Sequence, residues 1–382
     1  MSGLDFLTPV SEEMFAFAQS CNTQQLGSKI VLHTETDFPD LEKVKLALVF
    51  VPEYRNSSQQ TVSGIEDQFR KHFYTMFPGN WLSSVADLGT LIPGEAPEDT
   101  YFALQSLCAD LIKNRVIPIV IGGSQDLTYP MYRAYDKLDQ MVNLVGIDYK
   151  FDLGKAPDTI SAESYLSPII MEQPNNLFNY ANLGYQTYYN AQEEIDLVYK
   201  LYFEAYRLGE ISSKIELAEP VFRDADLVSV DINAVSADVT FNLPGEPNGF
   251  TGREICALMR YAGISDKTSS LGLFNVQGNQ RELKLLSQMV WYFIDGFQYR
   301  AGDYPFGGKE SYIRYIVPHE GEEMVFYKSD KTGRWWIEIV NINSHTKSKR
   351  TSLLPCSYDD YLQACEQDIP ERYWKAIRKA IV

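Results

Sequence analysis

The sequence predicts an α/β protein: a three-layer α/β/α arrangement around a mostly parallel sheet, followed by a C-terminal extension of a β-hairpin and a helix. Three observations predict it. Apolar runs such as Val44–Val51, Val116–Ile121 and Val142–Ile147 lack polar alternation, which is the pattern of strands buried on both faces. Stretches with helical spacing precede several of these runs, as the crossovers of a parallel sheet require. After Pro305 the pattern changes to β-rich segments. Residues 1–304 therefore read as one α/β domain with its core at about 44–298, and 305–382 as an extension packed on that core or forming a small module.

The first forty residues carry little pattern, and Val44–Val51 is the first parallel strand. Gly64–Phe77 has a mixed aromatic and charged pattern compatible with a helix. A clearer helix follows, where Leu104, Leu107, Cys108, Leu111 and Ile112 repeat on one face and Glu98 and Asp99 sit at its positive end. It runs into the strand Val116–Ile121. The same order recurs twice, with Tyr129–Leu138 before Val142–Ile147 and Gln192–Leu208 before Leu227–Val230. In the latter helix Tyr199, Tyr202, Tyr206 and Leu208 read as core or subunit-contact packing. Thr251 and Glu254 form a capping box for a helix that Gly263 is expected to stop. Ser270–Asn275 and Glu282–Phe297 complete the core as strand and helix. In the extension, Glu323–Tyr327 and Trp335–Val340 flank Ser-Asp-Lys-Thr-Gly, a hairpin signature, and Ser357–Val382 reads as helical.

Charge narrows the function classes. A formal net charge of −17 opposes phosphate backbones and anionic lipid, so neither nucleic acid nor a membrane surface is an expected partner. The N-terminus lacks the charged and apolar regions of a leader, and no run is long enough to span a bilayer, which predicts a cytoplasmic protein. Cys21, Cys108, Cys256, Cys356 and Cys365 show no Cys-x-x-Cys spacing, so neither a disulfide framework nor a zinc site is expected.

Chemistry-bearing residues gather where strands end: Gly122-Gly-Ser-Gln-Asp126, Asp148-Tyr-Lys-Phe-Asp152 and Ser229-Val-Asp-Ile-Asn233. Doubly wound sheets place their sites at such ends. These segments, with Asp87-Leu-Gly89, Leu183-Gly184 and Pro244-Gly245, resemble the ureohydrolase superfamily of arginases, agmatinases and formimidoylglutamases, and formimidoylglutamases most. The resemblance implies an arginase-like fold and two manganese ions held by Gly-Gly-x-His, Asp-x-His-x-Asp and Ser-x-Asp-x-Asp. At the implied ligand positions this chain keeps Asp148, Asp152 and Asp231 but carries Gln125, Lys150 and Asn233. Leu273 is aligned with the family glutamate that pairs with the substrate's cation, and Tyr165 falls near the proton-shuttling histidine. None of His33, His72, His319 or His345 lies in a motif. Ser124 lacks a nucleophile elbow and a neighbouring histidine.

A protonated lysine cannot ligate a metal. The expectation is a ureohydrolase-fold protein without the binuclear centre, with no assigned catalytic residue and no cofactor, or at most one weak manganese, magnesium or calcium ion on the three aspartates. It would act as a binding or assembly component, as a homo-oligomer or with a protein partner. Two alternatives stay open: an active hydrolase of linear amidines with a reduced metal site, and a sensor holding a small molecule in the old pocket. Converging carboxylates call for a positive charge, so the ammonium of Lys150 is expected between Asp148 and Asp231, with Gln125 and Asn233 hydrogen-bonding around it.

Overall fold

The computed structural model describes residues 3–58, 64–138, 140–154, 160–242, 245–305, 308, 311–319, 322–342 and 349–381. The Pro244 end of the expected Pro244–Gly245 turn lies outside them. Ten strands build the main sheet: β1 (Leu7–Thr8), β2 (Val31–Leu32), β3 (Val44–Phe50), β4 (Ser84–Leu91), β5 (Ile117–Ile121), β6 (Val142–Ile147), β7 (Leu177–Tyr185), β8 (Glu204–Arg207), β9 (Leu227–Asp231) and β10 (Ser270–Phe274). Their order is β1-β4-β3-β5-β10-β9-β6-β7-β8, with β2 also on β4, and only the β1–β4 pairing is antiparallel. The predicted three-layer α/β/α architecture is what forms.

Each central strand buries both faces, which is why its sequence does not alternate. Leu46, Leu48 and Phe50 face one layer, with Phe69 and Phe73 and the helices Gly252–Ile264 and Gln280–Gln298. Ala47, Val49 and Val51 face the other, with Leu104, Leu107 and Leu111 of the Pro97–Lys113 helix. Thr251 caps its helix as expected, its Oγ1 accepting the Glu254 N–H. Gly263 does not stop that helix, which runs on to Ile264. A Cβ on Gly263 would come within 2.1 Å of Phe293 O, so this glycine lets the two helices touch backbone to backbone.

The stretch expected as one helix over Gln192–Leu208 breaks. A helix covers Gln192–Lys200, Tyr202 turns the chain at φ +55°, and Glu204–Arg207 forms the edge strand β8. Tyr199 and Tyr206 therefore sit on different elements. The local pattern suits either state, and parallel pairing with β7 decides it. Strands β4 and β7 were also not foreseen as strands, since their polar Asp87, Asn179 and Asn182 interrupt the apolar runs.

The extension folds into more than a hairpin. Strands β11 (Tyr312–His319), β12 (Glu322–Ser329), β13 (Trp335–Ile342) and β14 (Lys349–Cys356) form a separate antiparallel sheet in that order, with helices at Tyr358–Cys365 and Glu371–Ile381. The predicted turn joins β12 to β13, Gly333 at φ +74° donating its N–H to Ser329 O. Trp335 stacks on Tyr361 with ring centroids 4.7 Å apart. Arg223 of the main domain donates to Trp335 O at 2.9 Å and Cys356 O at 2.7 Å, and Arg372 pairs with Glu204 of β8 at 2.7 Å. The extension is thus tied to the sheet's β8 edge. Among the described residues no helix is long and apolar enough to cross a membrane.

Candidate functional site

Strands β5, β10, β9 and β6 lie side by side and run parallel, so the residues leaving their C-terminal ends converge. After β5, Gly122 (φ +93°) and Gly123 (φ +73°) take a backbone path that side chains rarely adopt, and a Cβ on Gly123 would lie 2.6 Å from Val51 O. That turn delivers Gln125, fully buried, to the centre of the site. Its Nε2 donates to Asp148 Oδ2 at 2.9 Å and to Tyr165 Oη at 3.3 Å.

Asp148 ends β6. Its Oδ1 accepts the Lys150 backbone N–H at 2.8 Å, and Asp152 follows at φ +50°. Asp231 ends β9, and its Oδ1 accepts the Asn233 N–H at 2.8 Å. From β10 comes Asn275, which sequence reasoning missed. Its Oδ1 accepts the Gln125 N–H at 3.2 Å, its Nδ2 donates to Gln125 Oε1 at 3.3 Å, and it also hydrogen-bonds Asp231. The signal was available, because Asn275 is the polar residue directly after an apolar strand. Leu273, aligned in the sequence with the family glutamate, is buried in β10 between Ile121 and Val230 and does not reach the site. Tyr165 does face the site, as expected.

Burial raises all three carboxyls, and repulsion from neighbouring carboxylates adds to it at Asp148 and Asp152. The Asp148 and Asp152 side chains also hydrogen-bond each other. Lys150 does not take the expected place among them. Its Nζ lies 5.2 Å from the centroid of the Tyr149 ring, and among the described residues it makes no ion pair with Asp148, Asp152 or Asp231. The reason is local: the bond from its own N–H to Asp148 bends the loop, and left-handed Asp152 ends the extended alternation that would have put all three side chains on one side. Its charge reaches Asp152 and Asp231 only at a distance, lowering both somewhat.

Above these groups opens a cavity of about 230 Å³, walled by Asn56, Tyr149, Lys150, Asp152, Asp231 and Asn275 among others. The three aspartates act on one another, yet among the described residues no group of three or more His, Cys, Asp or Glu side chains is arranged to hold a metal ion.

The family model described as the arginase family matches residues 54–277, from the loop after β3 to just past Asn275. The chain belongs to the arginase family. No curated protein sequence matches it. Among solved structures, Trypanosoma cruzi formiminoglutamase with manganese superposes with a TM-score of 0.63 at 16% identity, covering 72% of this chain and 99% of that one. Bacillus subtilis formimidoylglutamase gives 0.60 at 13%, over 70% and 96%, and Thermoplasma volcanium agmatine ureohydrolase gives 0.58 at 16%, over 74% and 98%. At these identities the likeness is one of fold. More than a quarter of this arginase-family chain has no counterpart in the Trypanosoma protein.

Proposed function

We propose that this chain does not run a two-manganese hydrolysis of linear amidines and serves instead as a binding or assembly component. The observation that carries the reading is the bond from Gln125 Nε2 to Asp148 Oδ2. An amide N–H on that oxygen takes a lone pair that a metal ligand must offer, while the amide's own oxygen is turned to Asn275. Lys150 and Asn233 support the same reading, since an ammonium has no lone pair and a carboxamide is a weak neutral donor. Two metals that share and acidify a bridging water do not fit this donor set. The oxygens of Asp148, Asp152 and Asp231 suit at most one hard divalent ion.

A second role, small-molecule sensing, is supported by the polar cavity of about 230 Å³ over these residues. A cytoplasmic setting is supported by five free cysteines. The deciding experiment is elemental analysis after dialysis against manganese, with assays for urea from arginine and agmatine and for formamide from formiminoglutamate. The expected result is far less than two ions per chain and no product. Two tightly held ions, with turnover that Asp148→Asn abolishes, would overturn the proposal.

A further inference from the structure

A second cavity lies away from the strand-end site. It is a cleft of about 510 Å³ between β8 and the two C-terminal helices, so one wall belongs to the arginase-family region and the other to the extension. Seven of its sixteen lining residues lie beyond the matched residues, so the cleft is not one that the family region builds by itself.

Most charged groups in the cleft are committed to contacts within the fold. Glu204 pairs with Arg372 at 2.7 Å, Lys375 with Glu371 at 2.7 Å, and Asp360 accepts from the N–H and Oγ of Ser357. Two groups are left. Arg207 donates through Nε to Tyr185 Oη at 3.2 Å, and among the described residues its two terminal nitrogens have no partner. Glu210, three residues on, accepts the Arg207 backbone N–H, and among the described residues its carboxylate is in no ion pair. Both side chains are exposed to the cleft and close enough for their charges to act on each other. A guanidinium with a free fork and a carboxylate with lone pairs to spare, both lining the cleft with Tyr185 and Tyr199, complement a ligand that carries both charges on neighbouring atoms.

We propose that this cleft binds a free α-amino acid, its carboxylate on Arg207 and its ammonium on Glu210. The site is also connected to the strand-end loop. Tyr185, which Arg207 holds by its hydroxyl, packs its ring 5.0 Å from that of Phe151, the residue between Lys150 and Asp152. Occupancy of the cleft therefore steadies the Asp148–Asp152 loop through Tyr185. This proposal stands apart from the one on hydrolysis, since it needs neither a metal nor turnover.

The test is a thermal-shift panel of the full chain with each of the common L-amino acids, followed by calorimetry. At least one is expected to raise Tm by roughly 2 °C or more at saturating concentration. Arg207→Gln and Glu210→Gln are each expected to abolish that shift while keeping the unliganded Tm, because both residues are exposed. The same amino acid is expected to slow hydrogen exchange of the amides at 148–153, and Tyr185→Phe, which removes the hydroxyl, to weaken that slowing. Absence of any shift across the panel overturns the proposal, as does a shift that survives both substitutions or one that propionate or butylamine alone reproduces. Binding with unchanged exchange at 148–153 overturns the link to the loop.

Discussion

Two regions of the sheet bury carboxylates, and they resolve the cost in opposite ways. At the ends of β6 and β9, Asp148 and Asp231 have amide partners and Asp152 bonds to Asp148, but among the described residues none of the three has a cation in an ion pair, and burial drives their pKa values up. At the edge strand, Glu204 is equally enclosed and burial alone would raise it too. There the charge and hydrogen bonds of Arg372 more than reverse the effect, helped by Lys379 and Tyr206, and hold Glu204 at about 2. Desolvation is common to both places, so the presence of a guanidinium sets the sign. The edge where the extension docks is built as a compensated charge cluster. The strand-end site keeps uncompensated acid in place, and hydrogen bonds from Gln125, Lys150 N–H and Asn233 N–H make that tolerable.

The strongest way to break this contrast is to make the edge resemble the site. Arg372→Met leaves Glu204 buried without its partner and is expected to cost about 3–5 kcal/mol in urea unfolding. Adding Glu204→Gln should recover much of that loss. A loss below about 1 kcal/mol would mean the edge was never held by the pair.

Arg223→Met comes next. It removes the donors to Trp335 O and Cys356 O and the cation 4.8 Å from the Trp336 ring centroid, which predicts about 2–3 kcal/mol of destabilisation. Faster proteolysis after Pro305 should accompany it. An unchanged cleavage pattern would show that other contacts carry the docking.

Acid sharpens the comparison. Because the folded-state pKa of Glu204 lies below its ordinary value of 4.5, its contribution is fully present above that pH. It is lost as pH falls from there toward about 2. The stability difference between the parent and Glu204→Gln should therefore shrink across this interval in paired denaturation curves. A difference that stays constant down to pH 2 would contradict the assigned charge.

At the strand ends the expected sign is opposite. Asp152→Asn removes a buried carboxyl raised to about 8, and with it the cost of holding that acid protonated at neutral pH, so Tm should rise slightly, by the equivalent of about 1 kcal/mol. A fall would show that the carboxylate is needed where it stands. The smallest effect belongs to Lys150→Met, expected within about 1 kcal/mol of the parent, since only a ring contact and distant charges are involved. A large loss would restore the idea of an ammonium bridge among the aspartates.

What the sequence determined by itself is whatever a short window encodes. Uninterrupted apolar runs marked the doubly buried strands, Thr251 and Glu254 marked a helix start, and Ser329–Gly333 marked a turn. Polar residues after those runs located Gln125, Asp148, Asp152, Asp231 and Asn233 at one end of the sheet, and parallel pairing does bring them together. Tertiary structure alone decided matters that depend on a distant partner. Glu204–Arg207 became a strand because β7 offers an open edge, and Gly263 became a packing residue because another helix crosses there. Asn275 entered the site because β10 lies between β5 and β9. Lys150 kept its charge but lost its expected place, since one backbone hydrogen bond to Asp148 turns the loop. Side-chain direction past a strand end follows from such bonds, and residue spacing does not encode them.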